Sequence, residues 1–188
     1  MKDFLRTHIE KISPLTDKEY GYIKTHFISR KLKKHQFLVQ EGENVLNDYL
    51  VVKGCLKAYL VGPDGKEHIL QFATEDWWIT DYQAYFYQTK ATVFVDCVEN
   101  CEVLMLSLFN REKICADLHK IDHFFRKKSN LGYVGLQQRI LMLLNNRPKE
   151  RYEKLFGLYP HLFQRVPKTL IAAYLGVSRE TLSRLTSK

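Results

Sequence analysis

The sequence predicts an α+β chain: a small N-terminal antiparallel β-roll, a long connecting helix and a C-terminal, winged-helix-like helix-turn-helix. Three observations carry this. Between residues 36 and 107, short alternating or β-branched runs are separated by turn signals, without helices between them. Residues 111–145 then change to helical periodicity with two apolar stripes. The closing stretch 168–185 (KTLIAAYLGVSRETLSRL) reads as two short helices joined by a glycine.

Taken in order, residues 14–28 (PLTDKEYGYIKTHFI) look helical, with Leu15, Tyr22, Ile23 and Phe27 available for burial. A basic run, Arg30-Lys31-Leu32-Lys33-Lys34, leads into expected strands at 36–40, 48–53, 55–61, 66–73, 91–98 and 101–107. Gly62-Pro63-Asp64-Gly65 marks a hairpin, because Pro presets one turn angle and Gly relieves another.

On the long helix, one stripe runs Phe124, Leu131, Val134, Leu141 and the other Leu136, Ile140, Leu143, Leu144. Two stripes on one helix suit packing on its own domain and on a partner chain, so the first is the candidate homodimer face. Gly132 and Gly135 each weaken a helix by about 1 kcal/mol relative to Ala. They either allow close helix approach or mark a break. Asn145-Asn146-Arg147-Pro148 reads as a hinge, followed by a short helix over 148–158. The expected division is 1–117 for an N-terminal helix and roll, 118–146 for the dimerisation helix, and 147–188 for the helix-turn-helix.

In that last unit, Gly176 supplies a turn needing positive φ, and Ser178 is a natural N-cap for a helix over 178–185. Ala172, four residues before Gly176, leaves room for the helices to cross closely. Leu170, Ile171, Leu175, Val177, Leu182 and Leu185 can share an apolar core. Arg179, Glu180, Ser183 and Arg184 then fall on one outward face. A helix-turn-helix presents such a face to the DNA major groove.

Charge placement agrees. The 188-residue chain has net charge +8, but residues 1–110 carry 13 Lys/Arg against 15 Asp/Glu. Residues 111–146 carry 7 against 3, and residues 147–188 carry 9 against 3, so the basic excess lies with the helix-turn-helix. With 45% hydrophobic residues the chain can build a proper core. No apolar run approaches the ~20 residues of a membrane span, and charges interrupt the N-terminus too often for a signal peptide. A cytoplasmic location and no membrane partner are expected. Cys55, Cys97, Cys101 and Cys115 lack zinc-site spacing, and the histidines form neither HxH nor HExxH, so no metal site or cofactor is expected.

Ser178-Arg179-Glu180-Thr181-Leu182-Ser183-Arg184 resembles the recognition-helix motif SRE[TM][VL]SR of the Crp/Fnr family of bacterial transcription regulators. Gln40-Glu41-Gly42-Glu43 and Leu50-Val51-Val52-Lys53-Gly54-Cys55-Leu56-Lys57 resemble segments of that family's cyclic-nucleotide-binding-like jelly roll. The resemblance runs end to end. It implies that Arg179, Glu180 and Arg184 read base edges, Arg through guanine O6 and N7 and Glu through cytosine N4. An intrahelical Glu180–Arg184 pair is the alternative, worth only ~0.3–0.5 kcal/mol. Ser178, Thr181, Lys168 and Thr169 are candidate phosphate contacts; Thr181 could instead face the fold or a thymine methyl.

The departures concern the sensing end. Members that bind cyclic AMP carry an FGE(L/I) segment and an Arg-Ser/Thr pair that hold the ribose and cyclic phosphate. Here the corresponding residues are Asp76-Trp77-Trp78-Ile79-Thr80-Asp81-Tyr82 and Thr89-Lys90. The cyclic-nucleotide site therefore reads as degenerate, since a lysine lacks the guanidinium's bidentate fork. The many aromatics nearby either close the core or line a pocket for an unknown apolar or planar effector. Trp77, Trp78, Asp81, Tyr82 and Lys90 are the candidate pocket residues.

The function implied is a homodimeric, sequence-specific regulator that reads a near-palindromic site on double-stranded DNA. RNA polymerase is a further partner the resemblance suggests. The alternative is a small-molecule-binding β-roll without DNA-binding activity. A metal-dependent cupin enzyme would need clustered histidines, and the strand region offers only the distant His35 and His68, so no catalytic residues are expected.

Overall fold

A computed structural model describes residues 3–186. Eight strands form two four-stranded antiparallel sheets, ordered β1-β8-β3-β6 and β2-β7-β4-β5. The strands are β1 (Ile28–Leu32), β2 (Phe37–Val39), β3 (Asn47–Lys53), β4 (Leu56–Val61), β5 (Glu67–Ala73), β6 (Trp78–Ile79), β7 (Phe94–Cys97) and β8 (Cys101–Ser107). The roll core between them contains Val51, Leu56, Ile79, Tyr85, Val95 and Val103. The predicted hairpin joins β4 to β5, with Gly65 at φ +76° and the Gly62 N–H donating to Lys66 O at 2.8 Å.

β3 shows why its sequence is continuously apolar rather than alternating. Tyr49 and Val51 belong to the core between the sheets, while Leu50 belongs to a second core under helices. That second core joins α1 (Phe4–Glu10), α2 (Asp17–Lys24), α4 (Leu108–Asp117) and the start of α5 (His119–Asn145) through Leu5, Ile9, Ile23, Ile114, Ile121 and Phe124.

Several boundaries differ from expectation. The helix expected at 14–28 is only α2, started by a Thr16–Glu19 capping box, and the chain is already a strand at Ile28. The basic run thus lies largely within β1, and α1, capped by Asp3, was not anticipated. The aromatic segment contains a short helix, α3 (Tyr82–Tyr87), closed by Gln88 in the left-handed region. The single helix expected over 111–145 is two, separated by Leu118 in an extended conformation (φ −136°, ψ 96°). Gly132 and Gly135 do not break α5, and a Cβ on either would meet nothing within 4 Å.

The remaining elements are α6 (Pro148–Leu158), α7 (Leu162–Arg165), α8 (Lys168–Leu175) and α9 (Arg179–Thr186). The regular elements of this terminal unit are all helices, with no wing strand among its described residues. It packs on the outer face of the roll. Cys55, Tyr59, Ile69, Phe72 and Val98 share a third core with Leu155, Leu162, Val166, Ile171, Leu175 and Leu182.

Candidate nucleic-acid interface

The helix-turn-helix forms from local signals. α8 ends at Gly176, whose φ of 65° and ψ of 40° place it in the left-handed region. The Val177 N–H then returns to Ala172 O at 3.0 Å, turning the chain into α9. Ser178 Oγ accepts the Thr181 N–H at 3.1 Å and caps α9. Leu175, Leu182, Ile171 and Ala172 are buried where the helices cross, with Leu170 and Val177 packed beside them.

With Leu182 turned inward, Arg179, Glu180, Ser183 and Arg184 are exposed. Ser178, Lys168 and Thr169 are exposed as well, whereas Thr181 is half-buried. Thr181 Oγ1 lies 3.2 Å from Ser178 Oγ and accepts from Arg184 Nη2 at 3.4 Å, so it orients the arginine. No ion pair joins Glu180 to Arg184 among the described residues. The Glu180 carboxyl is held below its ordinary range by its own backbone N–H and the Ser178 side chain. The face thus offers two guanidinium forks and one carboxylate acceptor. Lys168 and Thr169 begin α8, whose N-cap, Pro167, makes no side-chain capping bond.

Contacts absent from the sequence reading orient this face on the roll. Arg165 donates to both oxygens of Glu75 at 2.8 and 2.9 Å, and its Nε donates to Glu99 Oε1 at 3.1 Å. Glu75 also accepts the Gly54 N–H at 2.8 Å. Burial alone would raise the Glu75 pKa, but Arg165 and backbone N–H groups bring it down to about 2. Trp77 meets Tyr159 edge-on at 5.3 Å, and Phe72 lies 5.3 Å from Tyr174. The Arg139 guanidinium sits 3.7 Å from the Tyr174 ring centre, tying α5 to α8. No short sequence motif signals these pairings.

The five expected pocket residues are not brought together. Trp77 faces Tyr159. Trp78 packs against Phe27 and Phe125 and donates its Nε1–H to His8 Nε2 at 3.0 Å. His8 in turn uses Nδ1 toward Asp76 Oδ1 at 3.0 Å, and burial lowers its pKa to about 4, so it is neutral near pH 7. Tyr82 stacks on Phe86, and Lys90 is an exposed residue bridged to Asn44. Asp81 is buried and accepts the Ala84 N–H at 3.0 Å, the Thr92 N–H at 2.7 Å and the Thr92 hydroxyl at 2.9 Å. The convergent donors of this segment are therefore satisfied by the chain's own carboxylate. Tyr85, fully buried, fills the adjacent roll interior and donates to Leu106 O.

The expected dimer stripe also divides. Phe124 is 1% exposed and packs on His8 and Phe125 inside its own chain. It is buried because α5 begins against α1, not as an extension of that helix's free half. Leu131, Val134 and Leu141 are exposed, as are Leu136, Ile140 and Leu144.

Comparison with known proteins fits this geometry. Residues 29–117 match the model of the cyclic nucleotide-binding domain. FixK2 from Bradyrhizobium japonicum is similar in structure, with a TM-score of 0.71 at 17% identity over 86% of this chain and 83% of that one. A regulator assigned to the crp/fnr family from Eubacterium rectale gives 0.69 at 15% identity, covering 91% and 82% of the two chains.

The chain shares the fold of these proteins.

Catabolite activator protein from Thermus thermophilus gives 0.55 at 20% identity, over 91% of this chain and 82% of that one. No curated protein sequence matches the chain. Among the described residues, no helix is long and apolar enough to cross a membrane, and no group of His, Cys, Asp and Glu could hold a metal ion.

Proposed function

We propose that this chain is a sequence-specific, DNA-binding transcription regulator that works as a homodimer in the cytoplasm. The observation that carries the reading is the Ser178-capped α9, which buries Leu182 and exposes Arg179, Glu180, Ser183 and Arg184 on one face. Each bidentate arginine–guanine contact is worth about 1–3 kcal/mol of base discrimination. Ser178, Thr169 and Lys168 hold phosphates and set register, while Thr181 positions Arg184.

In this reading residues 1–117 brace the molecule, residues 118–146 pair two chains, and residues 147–188 read DNA. The exposed apolar face around Leu131, Val134 and Leu141 is covered by the same face of a second copy. Two α9 helices then enter successive major grooves of a near-palindromic site. The roll does not take a cyclic nucleotide, because Asp81 and Tyr85 already occupy its donors and its interior.

Footprinting across genomic fragments tests this. The wild-type protein should protect discrete sites in a salt-dependent manner, and Arg179→Ala with Arg184→Ala should abolish the protection. An unchanged footprint in that double variant would reject base reading by α9. A wild-type protein that protects nothing would favour a β-roll without DNA-binding activity.

A further inference from the structure

Two arginines meet at the last turn of α8 without a carboxylate between them. Arg139 of α5 lies over the Tyr174 ring, 3.7 Å from its centre, and its Nη2 donates to Tyr174 O. Arg151 of α6 reaches the turn that follows, where a Cβ added to Gly176 would stand 3.4 Å from its Nη1. Leu143, one helical turn beyond Arg139, packs on the same turn, 3.8 Å from that added Cβ. The end of α5, the first turn of α6 and the end of α8 therefore come together around Tyr174 and Gly176.

Neither guanidinium is fully satisfied. Arg139 Nη1 and Arg151 Nε are both buried atoms without a hydrogen-bond partner, and neither arginine joins an ion pair among the described residues. The surrounding helices bring no spare acid. α5 has none after Asp122, and α8 has none at all. On α6, Glu150 accepts from Asn146 Nδ2 at 3.0 Å and from the Arg147 N–H at 3.1 Å, and Glu153 pairs with Lys149 at 3.8 Å. Glu180 of α9 is exposed and engaged by Ser178. Burial lowers the Arg139 pKa below its ordinary value, with Tyr174 opposing the fall and the Arg151 charge adding to it.

The C-terminal end of α8 carries negative partial charge, which accounts for the bond from Arg139 Nη2. It leaves the other two donors unanswered, and a buried donor without an acceptor is costly. Guanidinium forks match the spacing of phosphate oxygens, and two of them balance a dianion. From this juxtaposition we infer that Arg139 and Arg151 form an anion site for a phosphate group, free or as a monoester, that bridges α5, α6 and the turn into α9. A phosphate held there ties the long helix to the turn that sets α9. Neither arginine belongs to the face that α9 presents, so this site stands apart from base reading.

Equilibrium dialysis of the full-length wild-type protein against radiolabelled inorganic phosphate, at constant ionic strength and without DNA, should show about one phosphate per chain. Arg151→Gln should weaken that binding about tenfold or more, as expected for loss of a charge-assisted hydrogen bond. Arg139→Lys keeps the charge but not the fork, and should weaken it as well. Thermal melts supply a second readout. In chloride, Arg151→Gln should melt at or above the wild-type Tm, because one of two neighbouring like charges has gone. In phosphate it should melt below wild type, because only wild type gains from the ligand. Phenyl phosphate that displaces the label assigns the site to monoesters; label that it fails to displace assigns the site to free phosphate.

If Arg151 merely braced α8, its replacement would lower Tm equally in chloride and in phosphate, and that result overturns the inference. So does a wild-type protein that binds no phosphate. Binding unchanged in both variants overturns it too, because the anion then sits elsewhere. Footprinting by α9 is untouched by any of these failures.

Discussion

Arg165 grips both oxygens of Glu75, at 2.8 and 2.9 Å, and so ties the entrance of the helix-turn-helix to the turn between β5 and β6. Glu75 is followed by Asp76, which binds His8 and Lys11 of the N-terminal segment, and by Trp77, which meets Tyr159. Four consecutive residues, Glu75 to Trp78, therefore join the roll to both of its helical neighbours. A displacement of this segment would be felt at α8 and at α1 together.

The first prediction concerns acid. The Glu75 pKa lies near 2 in the folded chain and near its ordinary 4.5 when unfolded, so the carboxylate contributes stability that is complete above pH 4.5. That contribution fades as pH falls from about 4.5 toward 2. Since Glu75 is 40% exposed, solvent screening limits it to about 1 kcal/mol. Thermal melts from pH 7 to 3 should show Glu75→Gln less stable than wild type at pH 7, with the gap closing in acid. A constant gap across that range would reject the pair as its source.

Asp81 supports a second prediction. Burial alone would raise its pKa, but bonds from Ala84 and Thr92 bring it below the ordinary carboxylate range, so it is anionic near pH 7. Asp81→Ala should cost about 1–2 kcal/mol, as expected for a lost N-cap with a second strand contact. Wild-type Tm should not move with cyclic AMP or cyclic GMP. A ligand at a hundred times its Kd would add about 2.7 kcal/mol, which a melt detects easily.

A third prediction separates the two parts of the stripe on α5. Leu131→Glu with Leu141→Glu should yield folded monomers by sedimentation, with little loss of thermal stability at low concentration. Phe124→Ala should instead destabilise the N-terminal core by about 3–5 kcal/mol, because its ring is packed within one chain. If the Glu variant remains dimeric, α5 does not pair the protomers through this face.

Gly176 supplies a fourth. Its φ of +65° is a conformation an L-residue adopts at a cost of roughly 1–2 kcal/mol, whereas an added Cβ would meet Arg151 Nη1 at 3.4 Å, close to ordinary contact. Gly176→Ala should therefore lower stability by about that strain and loosen α9 against α8. Hydrogen exchange of the Thr181 and Leu182 amides should report it, while amides in β3 and β8 stay protected.

The terminal helices were legible in the sequence because their determinants lie within a few residues of one another. Ser178 caps Thr181, Gly176 turns the chain, and the spacing of Leu175 and Leu182 sets the buried side. The β4–β5 hairpin was legible for the same reason, since Gly62 and Lys66 bond across four residues. The break at Leu118 was not, because no proline or glycine marks it. α4 and α5 are instead turned against the same core by Ile114 and Ile121.

The cluster of aromatics shows where sequence proximity misleads. Trp77 and Trp78 are neighbours in the chain, but successive side chains in extended backbone point to opposite sides, so one meets the terminal helices and the other the N-terminal helices. Arg165 and Glu75 show the converse, because they are 90 residues apart and nothing local distinguishes them from other surface charges. Local periodicity and capping chemistry thus specify which residues α9 presents. Which way that face is held depends on how Phe72, Trp77 and Glu75 of the roll meet Tyr174, Tyr159 and Arg165, a matter of long-range packing rather than of neighbours in the chain.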